Sequence, residues 1–469
     1  MKGYSRINFL LMFIGNLTII SCQDNTQTIN PQPSVETTEV LNASTQRMGN
    51  AEKGLDYLVN GNYVDGGIPF GLWLSLRGEN SANILKRQGD NAKVGYQYTV
   101  ITTANNTRAV GANCLNCHAS YINNEFVMGL GNSTFDFSTD QTGNINLLDA
   151  VLKTNYSINS PEYQAFIPYR RGFLAISPLT TTETQGVNPA DKYAAILASH
   201  RNPTDLSWRE NDPWGLPKEV IPTDVPAWWL LKKKNTMFYT GVGTGDFARI
   251  MMASGLVSLQ DSSQARKIDQ RFPDVLAYIK SLPSPIYKGT IDQQKVTEGK
   301  AIYEVNCSRC HGSSNNKNDY PNLLISLESI GTDPALVSTN FAYPQLLEWY
   351  NASWFSKEPF AAKLVAKKGY IAPPLDGVWA TAPYLHNGSV PTLEDLLNSS
   401  QRPKIWKRTF NTNDFDNKKV GWIYVALNAK TDTKTYDTSI KGYGNQGHIY
   451  GDKLSVLERT NLIEYLKTL

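Results

Sequence analysis

Two short runs constrain this chain of 469 residues more than any other feature: Cys114-Leu115-Asn116-Cys117-His118 and Cys307-Ser308-Arg309-Cys310-His311. Each is C-x-x-C-H, a spacing at which two thiols add across the two vinyl groups of one haem. The histidine that follows then reaches the iron from the proximal side. The chain holds five cysteines and these runs use four of them. Cys22 is the fifth, so none is left for a structural disulfide. A structural zinc site needs four tetrahedral ligands, which adjacent Cys and His supply poorly. A thioredoxin-like dithiol does not account for a histidine at the same place in both runs. The reading is two covalently attached c-type haems, held by Cys114, Cys117, Cys307 and Cys310, with His118 and His311 as proximal iron ligands.

The sixth ligands separate electron carriers from enzymes, because only an open iron binds peroxide or dioxygen. Beyond the two motifs the histidines are His200, His386 and His448, and no methionine follows the second motif. The second haem therefore cannot take a methionine from its own half. His448 stands in Gly444-Asn445-Gln446-Gly447-His448, just before the last helical run, where a cytochrome c chain crosses the distal haem face. It is read as the sixth ligand, with His386 as the alternative. For the first haem His200 and Met128 are available, neither at a compelling spacing, and an open or weakly held sixth position is expected.

Residues 1–22 read as a lipoprotein signal peptide. Lys2 and Arg6 precede a mostly apolar run at 9–20, too short for a comfortable membrane span. The run ends in Ile19-Ile20-Ser21-Cys22, which resembles a bacterial lipobox with Cys22 acylated. That expectation places the protein on the exported side, periplasmic or at the cell surface, held to a membrane by lipid alone. Residues 23–48 are polar and Pro/Thr-rich and read as a flexible tether. An N-terminal haem domain is expected over 49–285 and a C-terminal one over 290–469, with a linker near 284–292 where Pro283 and Pro285 end an apolar-periodic run at 274–282. Helices are predicted at 295–304, leading into the second motif, and at 454–469, marked by Leu457, Leu462, Leu466 and Leu469. The fold class expected is mainly α: two cytochrome c-like haem domains with long loops and some short strands. A net charge of +3, with Lys232-Lys233-Lys234 as the longest basic run, argues against nucleic acid; that triplet reads as a solvated patch.

Residues 371–389, Ile-Ala-Pro-Pro-Leu-Asp-Gly-Val-Trp-Ala-Thr-Ala-Pro-Tyr-Leu-His-Asn-Gly-Ser, resemble a signature of the bacterial di-haem cytochrome c peroxidase superfamily. Their wording, with Gly447-His448, is closest to the rubber oxygenase-like branch. The resemblance covers roughly residues 90–469. It implies that the N-terminal haem is reactive and that the C-terminal haem delivers electrons, received from a small donor protein, a cytochrome or cupredoxin. It implies a bridging aromatic between the haems, which the segment 224–241 places at Tyr239, with Trp228 and Trp229 as neighbours. It also implies a calcium ion between domains, with Asp224, Thr381 and Pro383 as candidates.

The chain departs from the peroxidases in two ways. Their methionine ligand is missing. Where they present Gln and Glu to the O–O bond, this chain runs Phe247-Ala248-Arg249-Ile250-Met251-Met252, leaving Arg249 to polarise a bound peroxide. The function expected is electron transfer from the C-terminal haem to an N-terminal haem that reduces peroxide. A dioxygen-using enzyme of the rubber oxygenase kind and a non-enzymatic di-haem electron carrier are the alternatives.

Overall fold

Two pairs of crossing helices frame the molecule, one pair for each C-x-x-C-H motif. In the computed structural model, which describes residues 38–210, 214–313 and 319–469, the first pair is Ala51–Asn60 against Phe272–Ser281. The Asn50 side chain starts the earlier helix by accepting the Lys53 N–H, a normal N-cap. The helices cross at Gly54, where a Cβ would lie 1.9 Å from the Asp274 carbonyl oxygen. The second pair is Gln293–Asn306 against Val456–Leu466. Asp292 caps the former, and Ser455 with Glu458 forms a reciprocal capping box on the latter. Here the crossing is at Gly299, where a Cβ would lie 2.0 Å from the Asn461 carbonyl oxygen. Tyr303 and Tyr465 meet beside it with ring centres 5.2 Å apart. Of the leucines that marked the last helix, Leu462 and Leu466 are buried while Leu457 is exposed.

The second pair's opening helix runs straight into Cys307. In the first half residues 61–113 intervene, including a three-stranded antiparallel sheet ordered Ile68–Pro69, Arg108–Ala112, Tyr98–Thr102. Helix accounts for 39% of residues and strand for 13%. The strands fall in several two- and three-stranded sheets joined by long loops. From Thr37 to Leu469 the chain forms one compact unit, without a division at 285–290 into separate haem bodies. The reason is a single apolar core that runs from Leu58 and Phe272 through Trp229 and Trp379 to Tyr303 and Leu462. Among the described residues no helix is long and apolar enough to cross a membrane.

The expected signal peptide, lipidated Cys22 and most of the tether lie outside the described residues. Residues 38–48 are described, and they correct the expectation of a loose tether. Thr38–Val40 pairs antiparallel with Leu323–Ser326, and Leu41 is buried with its N–H donated to the Asn322 carbonyl at 2.9 Å. Arg47 then reaches Asp246 at 2.8 Å and Asp269 at 2.6 Å. Polar composition suggested solvation, yet these polar groups are spent on buried partners. The strap holds the second half at one end and the first half at the other.

Gly299→Ala is expected to destabilise the protein by about 1–3 kcal/mol, since the added methyl meets backbone. Gly71, on a helix with nothing within 4 Å of its Cβ position, serves as control. Gly71→Ala is expected to be neutral or stabilising by up to about 1 kcal/mol. Chemical denaturation of both variants checks this.

Candidate functional site

One continuous cavity of about 1010 Å³ joins the two motifs, just above the usual range of about 300–1,000 Å³ for a single ligand site. Cys114, Cys117 and His118 line it at one place, and Cys310, His311 and His448 at another. Both motifs take the same local shape. The histidine N–H bonds to the first cysteine's carbonyl at 3.1 Å in each, His118 to Cys114 and His311 to Cys307. Asn113 fixes the first turn by accepting the Leu115 N–H, and the second is one helical turn, Ser308–His311. All four cysteines are unpaired. Burial pushes the thiols of Cys114 and Cys117 up to about 11 and that of Cys307 to about 12. A reactive dithiol needs the opposite shift, so disulfide chemistry is a poor use of these sites, and thioether attachment is a good one.

The histidines carry the geometry. His311 Nδ1 lies 2.7 Å from the Pro373 carbonyl, which leaves Nε2 for a metal and fixes the ring as such partners do. Across the cavity stands His448, its ring centre 6.3 Å from that of His311. A metal–imidazole bond is about 2.0–2.1 Å and the nitrogen lies about 1.1–1.2 Å from the ring centre, so two imidazoles on opposite sides of one metal would have centres about 6.2–6.6 Å apart. The observed pair fits a single iron. Burial holds both rings in the neutral, ligating form: the pKa of His311 is lowered, and that of His448 is pushed down to about 3.

His118 is equally buried, its pKa down to about 4, with the Pro226 carbonyl beside it. Its Nδ1 makes no full hydrogen bond to that carbonyl, and its ring stacks on Trp228 at 4.7 Å. Among the described residues no second imidazole faces it as His448 faces His311. His200 is stacked on Trp208 at 4.8 Å with Nδ1 3.3 Å from the Arg209 carbonyl. Met128 accepts the Tyr278 hydroxyl at 2.8 Å. Neither lines the cavity, so the two ligands considered for the first haem are engaged elsewhere. Met237, Met251 and Met252 do line it.

Other expectations resolve as follows. His386 is on the cavity wall but stacks on Tyr370 at 4.1 Å and places Nε2 3.1 Å from the Tyr370 hydroxyl. It is thereby occupied, which leaves His448 as the ring that faces His311. Arg249 is corrected: it lies outside the cavity lining, turned to Asp269 at 3.3 Å and over the Trp354 ring at 4.8 Å. Its charge completes a buried cluster with Arg47 rather than facing a ligand. Tyr239, Asp224, Thr381 and Pro383 all line the cavity. Asp224 accepts the Tyr239 hydroxyl at 3.0 Å, and Thr381 donates to the Val378 carbonyl at 3.0 Å. Among the described residues no cluster of three or more His, Cys, Asp or Glu could hold a metal ion; a calcium site here would have to draw most of its oxygens from backbone carbonyls and water.

Of the lysine triplet only Lys232 is exposed as a solvated patch would have it. Lys233 pairs with Asp376 at 2.7 Å, and Lys234 lines the cavity with its pKa pushed down to about 8 by burial. A buried amine of this kind suits an anionic group in the cavity, such as a haem propionate. Two further supports escaped the sequence reading. Pro226 and Pro373 back the proximal histidines, and the Pro-Pro run at 373–374 was the available signal for the second. Arg402, buried, donates to the carbonyls of Asn445 and Gly447 at 2.7 Å each and of His448 at 3.0 Å. It thus clamps the loop that presents the distal histidine. A lone arginine in a loop gave no such signal.

A family model described as RoxA-like, cytochrome c-like matches residues 369–407. This segment carries Pro373, His386 and Arg402. It is a cytochrome c-like domain, which implies covalently bound haem c, and the match supports the likeness to rubber oxygenase-like di-haem cytochromes. The uncharacterized protein y4iM of Sinorhizobium fredii (strain NBRC 101917 / NGR234) is 29% identical over 297 residues, covering 54% of this chain and 66% of that protein. The uncharacterized protein y4iJ of the same organism is 32% identical over 248 residues, 40% of each. The chain thus spans less than two thirds of the length of either relative.

Removing the ring of His448 is expected to abolish a low-spin bis-histidine signal in the haem-loaded protein, whereas His386→Ala leaves it in place. Arg402→Met is expected to convert part of that signal to high spin and to cost about 3 kcal/mol or more, because several buried carbonyls lose their donor. Electron paramagnetic resonance (EPR) and thermal melts read both effects.

Proposed function

We propose that this chain is a di-haem c-type cytochrome oxidoreductase in which the haem at Cys307/Cys310 supplies electrons to the haem at Cys114/Cys117, where a peroxide is reduced. The observation that carries this reading is the 6.3 Å facing of His311 and His448, with no equivalent imidazole opposite His118 among the described residues. Haem supplies the redox couple and, where a coordination position is free, the place at which a small oxidant binds. His311 and His448 would hold one haem from both sides, which would commit it to electron transfer. His118 holds the other from one side, backed by Trp228 and the Pro226 carbonyl. Lys234 offers the cavity a positive charge. Asp191, also on the cavity wall with its carboxyl raised by burial to about 6, is able to deliver a proton near neutral pH.

Export on a lipid anchor at Cys22 and electron supply from a small cytochrome or cupredoxin belong to the same reading, supported by the lipobox-like run and by the resemblance. A second reading, dioxygen use at the first haem, is favoured by the RoxA-like match and by the withdrawal of Arg249 from the cavity.

Protein matured in a host that attaches c-type haem is expected to gain the mass of two haems. Stopped-flow mixing of the reduced protein then separates the readings. Peroxide should reoxidise both haems, and Asp191→Asn should slow this about 10²-fold. Reoxidation by dioxygen alone selects the second reading, and inertness to both oxidants leaves only an electron carrier.

A further inference from the structure

The segments behind the two proximal histidines repeat each other about a local two-fold axis. Tyr239 stands as far after Pro226 as His386 stands after Pro373. Each tops a tight turn closed by an isolated bridge, Met237 with Gly243 and Tyr384 with Val390. Matching residues take the same left-handed conformation: φ is 68° at Phe238 and 67° at Leu385, and 68° at both Gly241 and Gly388. The turns are exchanged between halves. Asp224 N–H donates to the His386 carbonyl at 2.7 Å, and Ile371 N–H donates to the Tyr239 carbonyl at 2.8 Å. Asp224 and Ile371 each lie two residues before their proline. On the axis itself, Trp229 Nε1 donates to the Asp376 carbonyl at 2.7 Å, and these two also occupy matching positions.

The backbone is symmetric but the side chains are not. On the first side Tyr239 donates its hydroxyl to the Asp224 carboxylate at 3.0 Å. At the matching place His386 meets the neutral Tyr370 hydroxyl. Tyr239 is therefore bonded at its hydroxyl to the segment behind His118 and at its carbonyl to the segment behind His311. An aromatic ring with that double attachment, next to a carboxylate, has what a proton-coupled relay needs.

We propose that Asp224 is the proton acceptor of a Tyr239 relay between the two haem sites. This rests on the di-haem reading above. One electron passes from the Tyr239 phenol to an oxidised haem at the first motif, and the O–H bond breaks as its proton crosses to the Asp224 carboxylate. The electron is replaced from the reduced haem at the second motif, and the proton returns from Asp224 to the phenolate oxygen. Atoms and charge balance over the cycle, and the oxidant is the peroxide that oxidises the first haem. The groups facing Asp224 are Tyr239, Arg408 and Tyr436. Burial raises the carboxyl to about 7 against the pull of Tyr239 and Arg408, so around neutral pH it can both take and return a proton.

Freeze-quench EPR on protein whose two haems have been counted by mass, mixed with hydrogen peroxide, tests the relay. A tyrosyl signal is expected in the natural protein and is lost in Tyr239→Phe, which keeps the ring and the turn. In Asp224→Asn the signal should form about 10²-fold more slowly. The natural rate should fall as pH drops through about 7, and Asp224→Asn should lose that dependence, an effect that a merely structural role would not produce. A haem-loaded protein with no tyrosyl signal, a signal that survives Tyr239→Phe or sits on a tryptophan such as Trp229, or an unchanged rate and pH profile in Asp224→Asn overturns the relay alone. A chain that takes up no haem overturns the reading beneath it.

Discussion

Two neutral imidazoles, His311 and His448, face each other across a gap that one iron would fill, and much of the second half exists to keep them there. Pro373 holds one ring through its carbonyl. Arg402 holds the other through the backbone of its loop, its guanidinium committed to carbonyls that would otherwise be buried without donors. The helix crossing at Gly299 sets the motif against the last helix. A ring left in this position without a ligand would be a buried polar group at a cost of about 1–3 kcal/mol: His448 Nδ1 has no hydrogen-bond partner among the described residues. On the proposed reading, the loop accepts that cost in order to present the ring to an iron.

The first half shares the scaffold but not the closure. Its helix crossing at Gly54, its motif turn and its proline carbonyl match the second half, while the strand-rich segment at 61–113 and the stacked Trp228 do not. On the proposed reading, asymmetry built on a symmetric backbone would let one centre pass electrons and the other meet a substrate. The exchanged turns at 237–243 and 384–390 tie the two proximal segments together. Electron flow between the centres, as proposed, would then need no domain motion, in keeping with a core that is continuous from Leu58 to Leu462.

Features that depend on neighbours in the chain were legible in the sequence. The C-x-x-C-H runs, the helices around 274–282, 295–304 and 454–469, and His448 beside a flexible glycine all declare themselves within a few residues. Long-range features were not. Arg249 looked free to face a ligand because nothing near it shows that Arg47 and Asp269 gather it into a distant cluster. Residues 38–48 looked like tether because their partners lie some two hundred residues or more away, in Asp246, Asp269 and Leu323–Ser326. His386 sits in the most recognisable stretch of the chain, yet its stack on Tyr370 is visible only in three dimensions. The same holds for the hydrogen bond that Asp224 accepts from Tyr239.

Anomalous diffraction at the iron edge from crystals of the haem-loaded protein addresses the central claim most directly. The account requires two iron peaks, one about 2.0–2.1 Å from a ring nitrogen of both His311 and His448, the other bonded to His118 with no histidine opposite. A single peak, or an iron at the second motif with His448 turned away from it, would contradict it.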